Sequence, residues 1–147
     1  MALQFQLVKI DAPQFAILND GEFSNPLQIN FELNFAVDSS FTSIKNTLKV
    51  VYLNSSEPVM QLVVECYYAI SKESWQEMTQ ENNAIIVPVG FLQHLATITV
   101  GTTRGVLFAR TVETNLNKFV LPLVNVTEMV KKDMVINPQP ETEKNQS

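Results

Sequence analysis

From Leu27 to Asp38 apolar and polar or small residues alternate without a break. Leu27, Ile29, Phe31, Leu33, Phe35 and Val37 fall on one side; Gln28, Asn30, Glu32, Asn34, Ala36 and Asp38 fall on the other. A period of two held this long predicts a long strand with one dry and one wet face. A wet face points to an antiparallel sheet. Leu3, Phe5 and Leu7 alternate with Gln4 and Gln6, which predicts a first strand closed by Asp11-Ala12-Pro13. After a loop-like stretch from Asp38 to Asn46, with Phe41 and Ile44 as apolar pins, a third strand is expected over Thr47–Leu53. Asn54 to Pro58 reads as a turn. Val59–Ile70 is more continuously apolar, which predicts a central fourth strand.

The pattern then changes. Ser71 to Asn83 is polar and acidic, with Trp75 and Met78 three apart, and Ser71 is placed to cap a short helix. Ala96 to Glu113 is ambiguous. Thr97, Ile98, Thr99, Val100, Thr102, Thr103, Val106, Thr111 and Val112 are β-branched and favour a strand, with Gly101 and Gly105 as hairpin turns. Wound as a helix, Leu92, Leu95, Thr99, Thr102, Val106 and Ala109 share one stripe. Phe91, Ile98, Gly105, Phe108 and Val112 lie on another. The only charges from Val89 to Val112 are Arg104 and Arg110. A helix apolar on two sides is buried on two sides. The sheet covers one side, and a second copy of the chain would cover the other, approaching over Gly101, Thr102, Gly105 and Ala109. The helix reading therefore predicts a homo-oligomer, and the hairpin reading does not require one. Asn115 to Val126 is an apolar run broken by Pro122, Thr127 to Met134 reads as a short last helix, and residues 137–147 lack aliphatic and aromatic side chains, as a disordered tail does. Four strands followed by helices is the α+β order, with helices on one face of an antiparallel sheet.

Composition narrows the function. A chain of 147 residues suggests one domain, here residues 1–136 before the tail. It buries roughly 70% of its unfolded surface without needing disulfides or structural metal. The net charge of −5 argues against nucleic acid and anionic membrane surfaces as partners. The N-terminus lacks a basic segment leading into an apolar run, so a secretory leader is not expected. Val89 to Thr103 carries Gln93, His94 and four threonines, which makes it a poor membrane span. One cysteine, Cys66, precludes an internal disulfide and fits a reducing cytoplasm. One cysteine with one histidine, His94, makes neither a plausible zinc site nor an identifiable thiol–imidazole pair, and four glycines form no phosphate loop. No catalytic, cofactor or metal residues are assigned, and the chain reads as a non-enzyme.

The residues from Thr103 to Val130 resemble a pattern in the SecB family of export chaperones. That family's long helix carries an Ala-Arg pair, followed by a loop and an apolar-Ala-Pro-Val-Asn-Phe-Asp run. Arg104 matches the arginine, Val124-Asn125 match the Val-Asn pair, and Pro122 falls one position from the proline. Asp11-Ala12-Pro13 is similar to the acidic-Ala-Pro that closes the family's first strand, and Glu65 sits where its fourth strand is acidic. Tyr67-Tyr68 replace glutamine and glycine residues, and Leu7 replaces an upstream acidic position. The resemblance implies four antiparallel strands, a long helix and a short last helix, assembled as an oligomer (dimer or tetramer). It implies a cytoplasmic, ATP-independent holdase with no cofactor, whose partners are unfolded or partly folded polypeptides. Clients would be export substrates or one dedicated partner, such as a toxin–antitoxin component. Client-groove candidates are Phe41, Ile44, Phe119, Leu121, Leu123 and Val126. Asp11 and Glu65 are candidates for a face that docks a translocase motor ATPase. The rival is a structural or assembly protein, phage-encoded for instance, that uses the fold for oligomer contacts alone; it predicts Phe119, Leu121 and Val126 fully buried.

Overall fold

The computed structural model describes residues 2–137. The expected tail lies, except for Asn137, outside the described residues. Four strands form an antiparallel sheet: β1 (Phe5–Ile17), β2 (Gln28–Val37), β3 (Ser43–Asn54) and β4 (Glu57–Ile70). Their order is β1-β4-β3-β2, which makes β4 central as its continuous apolar run predicts.

β3 and β4 show why one face is dry. Ile44, Leu48, Val50 and Tyr52 on β3 are buried with Leu62, Val64, Cys66 and Tyr68 on β4, and the intervening side chains are only half-buried. Asn54 pairs with Glu57 across Ser55 and Ser56, both at positive φ, so a two-residue turn closes the hairpin. β1 is longer than the alternation of Leu3–Leu7 predicts. It passes through Asp11-Ala12-Pro13 instead of ending there, absorbing the proline at a register shift between Asp11 and Gln14; a second shift lies between Leu7 and Lys9. Proline fits at a bulge on an edge strand, where its missing N–H costs no ladder bond.

The ambiguous segment is a helix. After α1 (Lys72–Met78) and β5 (Ile85–Val87), α2 runs from Val89 to Arg110 and packs across β3 and β4. The hydroxyls of Thr97, Thr99, Thr102, Thr103 and Thr111 donate to the carbonyls four residues back, at 2.7–3.1 Å. Back-bonding lets Thr99, Thr103 and Thr111 be buried with their polar groups satisfied. The buried stripe is Leu92, Leu95, Ala96, Thr99, Val100, Thr103 and Leu107. Thr102 and Val106, expected on it, are half-buried, and Ala109 is exposed. Tyr68 links the layers: its hydroxyl lies 2.7 Å from Thr99 Oγ1 and donates to the Leu95 carbonyl at 3.0 Å.

Ser71 caps α1 as expected, its hydroxyl accepting from the Ser74 N–H at 3.1 Å. The last helix, α3 (Val126–Met129), is shorter than the expected Thr127–Met134. Met134 instead opens β6 (Met134–Ile136), which pairs antiparallel with β5. A three-residue strand is too short for periodicity to announce, and its partner lies far away in the chain.

Candidate functional site

β2 is an edge strand, and its outer side has no strand partner among the described residues. Its register with β3 runs unbroken from Gln28 to Val37, without bulge or proline. Such an edge offers unpaired N–H and C=O groups to any incoming chain. β1, the other edge, carries two register shifts and Pro13. Because α2 lies over β3 and β4, the dry-face residues of β2, from Ile29 to Val37, are only half-buried.

Opposite this edge stands the segment from Met129 to Met134. Between them lies a gap of about 460 Å³, walled by Leu33, Asn34 and Phe35, by Leu92 of α2, and by Met129 and Val130. Lys131 and Lys132 add positive charge to the far wall. Asp133 is anchored, its Oδ1 accepting from the Val89 N–H at 2.8 Å. Gln93 Nε2 donates to the Val130 carbonyl at 2.8 Å and fixes the segment to α2. On the sheet side, Asn46 is fully buried and its Nδ2 donates to the Asn34 carbonyl at 3.0 Å, while its Oδ1 has no partner among the described residues. The gap thus combines a peptide edge, apolar walls and a basic margin.

A second cavity, of about 570 Å³, lies between the β2–β3 loop and α1. Phe41 forms one wall with φ of 53°, in the left-handed region that a bulky residue rarely adopts. Its ring meets Trp75 edge-to-face at 6.2 Å. Asp38 fastens the loop by accepting from the Ser40 hydroxyl, the Thr42 N–H and hydroxyl, and the Ser43 N–H. Burial pushes the Asp38 carboxyl up, but these hydrogen bonds together outweigh it and hold the group well below the usual carboxylate range.

The candidates named from sequence separate. Ile44, Leu121 and Val126 are buried in the core and do not wall an open groove. Ile44 points inward from β3, and the chain from Phe119 to Pro122 is pulled onto the body by polar clamps. Arg104 Nε donates to the Leu121 carbonyl at 2.7 Å and its Nη2 to that of Pro122 at 2.8 Å. Tyr52 donates to the Phe119 carbonyl at 3.0 Å. Phe119 is half-buried, whereas Leu123 is 94% exposed and Phe41 42%. Leu33, Phe35, Leu92 and Met129 are not among the client-groove candidates that the sequence suggests. The alternation of β2 was a usable signal, but nothing in it says that β2 lies at an edge.

Asp11 and Glu65 are cross-strand partners on the wet face. They do not form an acidic patch. Lys45 Nζ lies 3.7 Å from Glu65, Tyr67 donates to Glu65 at 3.1 Å, and Lys9 stands over the Tyr67 ring at 5.0 Å. On α2, Gly101, Gly105 and Ala109 are exposed and Thr102 is half-buried; no atom of the described residues would touch a Cβ added at either glycine. Phe108 and Val112 are 53% and 50% exposed. Cys66 is buried, and burial raises its pKa, the opposite of what a nucleophilic thiolate needs. His94 is exposed, edge-on to Phe5.

No family model matches the chain, and no curated protein matches it. Among solved structures, the chain is similar to a SecB-like chaperone of Mycobacterium tuberculosis, solved in complex with a peptide from an antitoxin. The match covers 92% of each chain at 11% identity, with a TM-score of 0.45. Among the described residues, no helix is long and apolar enough to cross a membrane.

Proposed function

We propose that the protein is an ATP-independent holdase that binds extended apolar segments of unfolded polypeptides in the gap beside β2. The observation that carries this reading is the unbroken free edge of β2 inside an apolar gap of about 460 Å³. A client strand laid along Leu33–Phe35 would pair with the backbone through bonds that ask nothing of its sequence. Its alternate side chains would meet Leu33, Phe35, Leu92 and Met129. Such β-augmentation combines main-chain affinity with loose side-chain preference, as a chaperone requires. Each Å² of apolar surface buried is worth about 25 cal/mol. Lys131 and Lys132 favour clients with acidic residues beside the apolar stretch.

The reading includes a single domain over residues 1–136, a cytoplasmic location and a homo-oligomer joined over the outer face of α2. Clients would be export substrates or one dedicated partner, such as a toxin–antitoxin component. Docking of a translocase motor through Asp11 and Glu65 has little support, because lysines offset the carboxylates there.

The test is suppression of aggregation of a chemically denatured model client, by the wild type and by Leu33→Pro. The N–H of Asp38 donates to the Ser43 carbonyl of β3 and the register is unbroken, so the even-numbered residues of β2 serve the ladder and the N–H of Leu33 faces the free edge. A proline there removes a free backbone donor without adding charge. Suppression by the wild type at several-fold excess is expected, weakened in the variant. Failure of the wild type to suppress sinks the reading. A second reading, a structural or assembly protein, is favoured by the burial of Leu121 and Val126 and opposed by the half-exposure of Phe119. It predicts the same oligomer without client binding.

A further inference from the structure

We propose that the cavity of about 570 Å³ between the β2–β3 loop and α1 is a site for a small amphiphilic monocarboxylate, an alkyl or aryl chain ending in a carboxylate. The site is separate from the gap beside β2, and no residue lines both. Its size lies within the roughly 300–1,000 Å³ usual for small-molecule pockets. Phe41, Ile70, Trp75 and Ile85 supply the apolar walls. They suit a hydrocarbon chain or a ring inserted beside the Phe41–Trp75 pair.

The charge around the cavity selects the polar end of the ligand. Among the described residues, Lys72 is the only charged side chain in the lining, and no carboxylate lines the cavity. Lys72 is exposed and forms no ion pair among the described residues. The carboxylate of the β2–β3 loop, Asp38, is occupied by the hydrogen bonds of its own turn. A carboxylate at Lys72 therefore finds an opposite charge, with its apolar chain directed inward.

Two further features mark the cavity as built. Phe41 is held at φ of 53°, which a bulky residue rarely adopts, with its ring against Trp75 and still 42% exposed. Trp75 is only 8% exposed, so its ring is fixed by packing and forms a rigid wall beside Phe41.

Trp75 is the only tryptophan, so its emission reports on this cavity alone. The full chain is titrated with sodium decanoate below its micelle concentration, and separately with 1-decanol. Equilibrium dialysis of labelled decanoate runs in parallel. We expect saturable decanoate binding at one site with a change in Trp75 emission. Lys72→Gln should weaken decanoate about tenfold and leave 1-decanol unchanged. Phe41→Ala should weaken both; Phe41→Gly, which also relieves the backbone, serves if the alanine variant misfolds by circular dichroism. The proposal is overturned if dialysis finds no saturable site, or if Lys72→Gln binds decanoate as the wild type does. Aggregation suppression is measured beside these titrations, so loss of chaperone activity and loss of this site are read separately.

Discussion

Asp133 caps a helix that begins forty-four residues earlier: the N–H of Val89 donates to its Oδ1 at 2.8 Å. The residue at the helix N-cap, Pro88, makes no side-chain cap bond, and the first turn of α2 holds no acid. Asp133 therefore supplies both the missing acceptor and a negative charge at the positive end of the helix. It also lies in the wall of the gap beside β2. Asp133→Ala should cost about 1 kcal/mol in urea unfolding. Asp133→Asn, which keeps an acceptor and loses the charge, should cost about half of that. Faster amide exchange at Val89–Leu92 should accompany both, and unchanged exchange there would mean that the cap does not hold in solution.

Arg104 spends its guanidinium on the backbone. Its bonds to the carbonyls of Leu121 and Pro122 hold the α2–α3 connection, which has little regular structure of its own, against the body. Arg104→Ala should destabilise the protein by about 1–2 kcal/mol, since two charge-assisted bonds are lost and the Leu121 carbonyl is released. Arg104→Lys should recover only part, because an ammonium cannot reproduce the planar fork. Limited proteolysis should cut between residues 113 and 125 faster in the alanine variant than in the lysine one.

These clamps bear on what the sequence could disclose. The strand from Gln28 to Val37 and its dry side were legible, because alternation reports which face is apolar. Its edge position was not, because alternation carries no information about neighbours. In α2 the stripes of apolar and small side chains three and four apart fit a helix, although β-branched residues oppose it. Threonine hydroxyls bonded to carbonyls four residues back, together with the sheet beneath, decide the matter. From Phe119 to Val126 no period sorts the inner from the outer residues. Leu121 and Leu123 looked alike in sequence, and the clamps place one in the core and leave the other 94% exposed.

Asp38 makes the β2–β3 loop sensitive to acid. Its carboxyl titrates well below the usual range, because hydrogen bonds from Thr42, Ser43 and Ser40 outweigh the effect of burial. A depressed folded pKa gives stability that is fully present above the unfolded value, about 3.9. That stability is lost as the pH falls below about 4 towards the folded value. Stability should therefore decline across this acid limb, and Asp38→Asn should flatten it. At neutral pH, Asp38→Ala should cost about 1 kcal/mol, as for a lost net hydrogen bond. It should also shift Trp75 emission, since Phe41 is no longer held over the ring.

Two buried phenols act at the opposite end of the pH scale. Burial pushes Tyr52 up to about 12, with Arg104 drawing it back down, and burial also raises Tyr68. Folded values above the unfolded value of about 10 favour the neutral phenol. That contribution is complete below pH 10 and disappears as the pH rises through the folded value. Urea midpoints should fall between about pH 10 and 12. Tyr52→Phe should remove part of the slope. Tyr68→Phe should do the same and cost about 1 kcal/mol at neutral pH, because its bonds to Thr99 and Leu95 are lost.

Gly101 and Gly105 distinguish a bare helix face from a covered one. Each glycine inside a helix costs about 0.5–1 kcal/mol relative to alanine, and no atom of the described residues would touch the added Cβ. On an isolated chain, Gly101→Ala and Gly105→Ala should each stabilise by about that amount. If a second copy packs there, the added methyl groups crowd the crossing and weaken association. The proposed homo-oligomer predicts the second result: light scattering should show dissociation at a higher protein concentration for the variants than for the wild type. Phe108→Glu, at a position already 53% exposed, should dissociate the assembly while leaving circular dichroism intact. A wild type that scatters as a monomer at every concentration, with alanine variants simply more stable, would mean that this face is bare and that the oligomer is not formed.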